Sequence, residues 1–233
     1  MILFRKRAGE SHSELAYRTL RENIMQIQME PGSIINEIQL AEEMKISRTP
    51  VHEAVGRLRE ERLIEVIPRR QSRVALLDVS YINEGFFMRC TMEPAVLRAA
   101  AGNLSASQVS ELRQNLEHQK RILDGTAGEP LLNFFIYDDE FHKSIYLAAN
   151  KKNIYDSVSR VISHMDWIRY LVTALGGYDE GHISFQNHQE IFNMLLFGVP
   201  AAFPLEQFIH DHMVGFRRYL PRLMEEYPHY FHM

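Results

Sequence analysis

Apolar residues recur at helical spacing along most of the chain, and the breaks in that rhythm divide it into elements. Residues 37–44 (EIQLAEEM) predict a short amphipathic helix with Ile38, Leu40, Ala41 and Met44 on one side. Lys45-Ile46 turns the chain, and Ser47 or Thr49 can cap a second helix with Pro50 in its first turn, where a missing N–H costs little. That helix directs Val51, Ala54, Val55 and Leu58 inward and leaves Arg48, Thr49, His52, Glu53 and Arg57 outside. The period then changes to two: residues 63–66 and 74–77 read as strands around the basic tip at residues 68–73. Beyond Asp78 helical periodicity returns, predicting helices over 81–101, 106–123, 130–149, 153–175, 184–197 and 205–225. Gly102-Asn103, Gly125 to Gly128, Asn150, Gly176-Gly177 and Pro200 to Pro204 mark the breaks. The expected fold is mostly α. A winged helix-turn-helix with a small β-hairpin wing occupies residues 1–77, and an all-α antiparallel bundle occupies 78–233.

Composition narrows this picture. A chain of 233 residues supports one large or two modest domains. No apolar run reaches the roughly 18 residues that span a bilayer, and the start MILFRKRAGESHSEL has no secretory core. The single cysteine, Cys90, excludes an internal disulfide and suits a reducing cytoplasm, so a soluble, cytoplasmic protein is expected. The net charge of −4 is unevenly spread: residues 1–77 hold thirteen Lys/Arg and eleven Asp/Glu, and the remainder holds thirteen and nineteen. A DNA reader needs only a locally positive face. Gln39, Ser47, Arg48, Thr49, His52 and Arg57 on the two helices, with Arg69, Arg70 and Arg73 on the wing, are the candidate groups for it. The modest total argues against a purely electrostatic, sequence-blind binder.

Candidate chemistry lies in the second half. Asp138 and His142 are four apart on one helix face, which continues through Phe134, Phe135, Phe141 and Ile145 and so points inward. His188 neighbours Ile191, Phe192 and Leu195, and His212 falls on the stripe Leu205, Phe208, Phe216. Polar groups on buried stripes need partners. An aspartate with three imidazoles on three inward faces suits a divalent metal, Zn²⁺ ahead of Ni²⁺ or Mn²⁺. Asp139 competes with Asp138, and His210 with His212, although helix phase favours His212. Arg89 and Glu93 form an i, i+4 pair that reads as a helix salt bridge. The tail YPHYF reads as a packing segment.

The run PGSIINEIQLAEEMKISRTPVHEAVGRLREERLIEVIPRRQSRVALL closely resembles the DNA-binding domain of GntR-family bacterial transcription regulators. His52 stands where that family usually has arginine, and Arg62 and Gln71 where it usually has glycine. FFMRCTMEPAVLRAAA, DDEFHKSIYLAANKKNI, FQNHQEIFNMLLFGV and EQFIHDHM resemble the FCD ligand-sensing domain of the family's FadR subgroup. The resemblance implies metal ligands at Asp138, His142, His188 and His212, and an Arg89 that faces a cavity and clamps a small organic acid. Arg169, Trp167, His164 and Tyr137 are further candidates to line that cavity.

The resulting expectation is a non-enzymatic regulator, most simply a repressor. It binds a near-palindromic double-stranded operator as a homodimer and responds to a carboxylate metabolite at the metal site. The competing readings are a regulator for which the metal is itself the signal, a metal that only staples the bundle, and a metal-dependent hydrolase. The last lacks a separate base beside the cluster.

Overall fold

The computed structural model describes residues 1–67, 71–128, 131–174 and 180–232, without the side chains of Leu132, Thr173, Ala174 and Glu180. The chain opens with a helix that the periodicity reading left unassigned, α1 (His12–Met25). Its start is a capping box: Glu14 N–H donates to Ser11 Oγ, and Ser11 N–H donates to the Glu14 carboxylate. Buried Leu15, Ala16, Leu20 and Ile24 pack this helix on the helix-turn-helix. Asn23, also buried, holds the N-terminal segment by accepting from Ile2 N–H and donating to Ile2 O.

A two-residue strand β1 (Ile34–Ile35) leads to α2 (Glu37–Met44), capped by Asn36, and then to α3 (Arg48–Glu60). Between them Lys45 takes the left-handed conformation, φ +55°, which makes the turn tight. Val51, Ala54, Val55 and Leu58 are buried as their spacing predicts, but Ile38 is half exposed. Strands β2 (Ile64–Val66) and β3 (Ser72–Val74) form the hairpin, paired Ile64 with Val74 and Val66 with Ser72. β3 sits earlier than residues 74–77, because β1 adds to its other edge through Ile34 and Arg73. Leu77 pairs instead with the far end of the chain: its N–H donates to Tyr230 O, and its carbonyl accepts from His232 N–H. Burial of Tyr230 and Phe231 there gives the tail the packing role its composition suggests.

The bundle begins with α4 (Val79–Ala100) and α5 (Ala106–Leu123), followed by α6 (Phe134–Ala148). The expected helix over 153–175 is two, α7 (Lys152–Val161) and α8 (Ser163–Ala174). α9 (Glu180–Phe197) starts earlier than predicted. The last expected helix divides into α10 (Leu205–Met213), a 3₁₀ turn at Gly215–Arg218 and α11 (Leu220–Glu226). Pro221 in the first turn of α11 explains that division, since a proline ring inside one long helix would collide with the preceding turn. The helices bury one apolar core, with Trp167, Phe134, Phe141 and Tyr170 among its largest members. Among the described residues no helix is long and apolar enough to cross a membrane.

Candidate metal centre and nucleic-acid interface

Three helices bring four titratable residues of the bundle to one place. α6 carries Asp138 and His142, α9 carries His188, and α10 carries His212; all four are buried. One nitrogen from each of the three histidines lies within 4.8 Å of the others, and His142 Nε2 and His212 Nε2 are 3.2 Å apart. Asp138 borders this cluster, with Oδ1 3.3 Å from His188 Nε2 and Oδ2 4.0 Å from His142 Nε2. The two competing residues lie elsewhere. His210 is half exposed, edge-on to Phe86, and Asp139 lies 3.7 Å from Arg169 on the side of α6 that faces a cleft.

Hydrogen bonding fixes which nitrogen of His188 carries the proton. Gln119 Nε2 donates to Asn115 Oδ1, which turns Gln119 Oε1 toward the ring, where it accepts from His188 Nδ1–H at 2.8 Å. His188 Nε2 is then a bare lone pair facing Asp138 Oδ1, and neither atom has a hydrogen-bond partner. Two buried acceptors face to face repel unless a cation or proton stands between them. Burial pushes the His188 imidazolium down to about 3 against the opposing pull of Asp138. Burial, with His188 and His142 beside it, holds His212 well below its ordinary value. Burial works the other way on Asp138, but Arg169, His188, His142 and Arg89 outweigh it and keep the carboxyl ionised. Neutral imidazoles beside a carboxylate are the donor set a divalent metal requires.

A second layer surrounds the cluster. His142 Nδ1 stands 2.9 Å from Glu93 Oε2, off hydrogen-bond alignment, and Asn187 Nδ2 lies 3.4 Å from His212 Nδ1. Arg169 grips Asp138 Oδ2 and lies 3.4 Å from Asp166. Arg89 is buried, donating to Glu93 at 2.6 Å and standing 3.6 Å from Asp166. It therefore makes its helix salt bridge and also lines a cleft of about 830 Å³ that includes His142, Tyr146, Arg21 and Glu61. Of the other cavity candidates, Trp167 is fully buried, Tyr137 stacks on His118, and His164 lies away at the junction with α3. Gln119, Asn187 and Asp166 were not singled out in the sequence. Gln119 carried a readable signal, being polar on the buried stripe Leu112, Leu116, Ile122.

On the helix-turn-helix, Gln39, Ser47, Arg48, Thr49 and His52 are all exposed. Ser47 occupies the N-cap of α3 without a side-chain cap bond, so its hydroxyl and the first N–H groups of α3 face outward. Gln39 donates to Glu43, and His52 lies 3.0 Å from Glu37. Arg73 donates to Glu65 at 2.7 Å. Arg57 departs from the expected set. It is nine residues past Arg48, about half a turn of the helix away at roughly 100° per residue, and its guanidinium lies 3.7 Å over the Tyr17 ring of α1. Arg57 therefore faces α1 and the cleft instead of the Arg48 side. Arg69 and Arg70 lie outside the described residues.

Comparison with known proteins agrees with this architecture. Residues 12–74 match the bacterial regulatory proteins of the gntR family, and residues 84–213 match the FCD domain. The HTH-type transcriptional repressor RspR of Escherichia coli K12 is 32% identical over 179 residues, covering 77% of this chain and 76% of that protein. An HTH-type regulator from an unstable DNA locus of Streptomyces ambofaciens is 30% identical over 195 residues, covering 83% and 80%. Among solved structures, Escherichia coli McbR/YncC superposes with a TM-score of 0.70 at 20% identity, covering 94% of this chain and 99% of that one. A GntR regulator from Rhodococcus sp. RHA1 superposes with a TM-score of 0.62 at 18% identity, covering 96% and 100%. These relatives are transcription regulators, not enzymes, which removes the hydrolase reading. The chain belongs to the GntR family of bacterial transcription regulators and carries an FCD domain.

Proposed function

We propose that this regulator binds a near-palindromic operator as a homodimer and releases or tightens it in response to a small carboxylate held at a divalent metal centre. The two modules meet near Asp78. Residues 1–77 read DNA, with Arg48, Thr49, Ser47, Gln39 and His52 at the major groove and Arg73, Arg69 and Arg70 on the wing. Residues 78–233 sense the ligand and dimerise. Repression is the sign that RspR carries in its name, and we extend it here.

The observation that carries the metal is the orphaned pair His188 Nε2 and Asp138 Oδ1, facing each other beside two more imidazole nitrogens. His142, His188, His212 and Asp138 would hold the ion, with Zn²⁺ the best match to three imidazoles and one carboxylate. The bound metal would supply a Lewis-acidic centre to which a carboxylate ligand can attach. Asp138 can offer Oδ1 while Oδ2 stays on Arg169. Gln119 already holds His188 in the ligating tautomer, and turning the Asn187 amide over would do the same for His212. Arg89, at the edge of the cleft, clamps the effector carboxylate by exchanging its contact with Asp166 for the ligand.

Native mass spectrometry with elemental analysis of the same sample tests this. The expected result is a dimer with about one metal per chain, and loss of that metal in His188→Ala. A protein that stays metal-free after reloading with Zn²⁺ would return the histidines to a purely packing role.

A further inference from the structure

The end of helix α3 is held from the side of the sensor. Past Glu60 the chain turns at Arg62, whose left-handed φ of +59° stops the helix and leaves carbonyls without helical partners. The first two residues of α8 supply those partners. Ser163 Oγ–H donates to Glu61 O at 2.5 Å, and His164 Nε2–H donates to Arg62 O at 2.9 Å. The other ring nitrogen of His164 accepts from Asp78 N–H at 3.1 Å, so one imidazole ties the end of α3 to the start of α4. The Arg62 guanidinium closes the same joint, 3.9 Å over the Tyr81 ring.

This strut is backed on its far side. At Gly85 of α4 a Cβ would stand 3.1 Å from both Ile162 Cα and Met165 Cβ, so glycine there lets the start of α8 seat against α4. Two clefts, of about 830 and about 770 Å³, run beside the joint, one lined by Glu61 and Asp166 and the other by Arg62 and His164. The strut therefore crosses a gap, and α1 and the C-terminal tail offer further bridges between the two regions. Less than two turns further along, the same helix carries Asp166 and Arg169 into the ion pairs around Arg89 and Asp138.

We propose that Ser163 and His164 are positioning residues that lock α3 at one angle to the bundle, and that α8 makes this angle depend on the occupancy of the metal and Arg89 centre. The second half of this proposal rests on the metal-site reading above. A cation on Asp138 Oδ1 weakens the hold of that carboxylate on Arg169, which stays on Oδ2, and an anion at Arg89 displaces its contact with Asp166. Both changes act on α8, and the joint converts them into a change in the orientation of the helix that meets DNA.

The test is a spin-label distance measurement in the full chain, between Glu53→Cys on α3 and Gln189→Cys on α9, with Cys90→Ser removing the native thiol. Labelled chains are diluted with unlabelled ones, and Zn²⁺ alone is the probe. Wild type gives one narrow distance. Ser163→Ala/His164→Ala broadens it at least about twofold, and Ser163→Thr, which keeps the hydroxyl, stays narrow. The single Ser163→Ala gives an intermediate width if the double variant proves too unstable. A loosened joint also leaves the circular dichroism of the bundle unchanged. Widths equal to wild type in both alanine variants would overturn the lock. Zn²⁺ shifts the mean distance in wild type and not in the double variant. If elemental analysis shows bound Zn²⁺ but the wild-type distance stays put, the coupling is wrong and the lock stands. If no Zn²⁺ binds, the metal-site reading and the coupling fall together, and the widths still decide the lock.

Discussion

The two regions of the molecule treat their charges in opposite ways. On the helix-turn-helix, Arg48 and His52 are exposed, and two of its ion pairs, His52 with Glu37 and Arg73 with Glu65, sit at the surface. In the bundle Arg89, Glu93, Asp138 and Asp166 are each at most 5% exposed and neutralise one another through a shared network. Surface pairs of the first kind are worth little and exchange readily for a phosphate or a base edge. Buried groups of the second kind have no such freedom, and removing one member strands the rest. The DNA face is built to be rewired on contact. In the bundle, a single added charge would disturb the whole network.

Mutations separate the two regimes most sharply where the network is densest. Arg89→Ala leaves Glu93 and Asp166 buried without their cation, and should lower stability by about 3–5 kcal/mol, read as a large drop in the denaturant midpoint. A shift no larger than that of a surface substitution would mean that water reaches the site and the network is not sequestered. Arg48→Ala should show the converse. We expect operator affinity to fall about tenfold to a hundredfold with the thermal midpoint unchanged. Unaltered affinity in a gel-shift titration would move the DNA face off α3.

A smaller effect comes from pH. Burial lowers the pKa of His164, and its Nδ1 accepts from Asp78 N–H, so the folded joint needs the neutral ring. The hydrogen bond to the Arg62 carbonyl, with Asp78 and Glu65, opposes that trend, and the Arg62 guanidinium reinforces it. The unfolded chain takes up this proton near the ordinary histidine value of about 6.5, and the folded chain does so only at lower pH. The stabilising contribution is therefore complete above that value and is lost as pH falls toward the folded pKa. Thermal midpoints of wild type and His164→Gln, compared from about pH 7.5 down to about pH 5.5, should converge as the solution is acidified. Parallel curves would show that the ring does not titrate in the joint. The smallest change is expected at Arg73. Replacing it with alanine should reduce the salt dependence of operator binding by about one phosphate contact, and an unchanged slope would leave the Glu65 pair as its whole role.

Much of this was readable along the chain because it depends on neighbours three or four residues apart. The inward stripe Val51, Ala54, Val55, Leu58 and the placement of Asp138 and His142 on one face of α6 follow from helical period alone. Helix phase on α10 also chose His212 over His210. α1 escaped notice, although Ser11 and Glu14 spell its capping box, because its apolar stripe is interrupted by the buried polar Thr19 and Asn23. The break between α7 and α8 had no proline or glycine to mark it.

By itself, the sequence determined the helix-turn-helix, the hairpin and the all-α second half, the family they spell, and which side chains could ligate a metal. Each is set by local periodicity or by residue chemistry. Only the tertiary structure decided that Gln119 presents a bare His188 nitrogen to Asp138, 50 residues back along the chain, that Arg57 turns to Tyr17, and that α8 holds the end of α3. Those contacts join residues far apart in the chain, and their partners are selected by packing of the whole core, which no window of sequence contains.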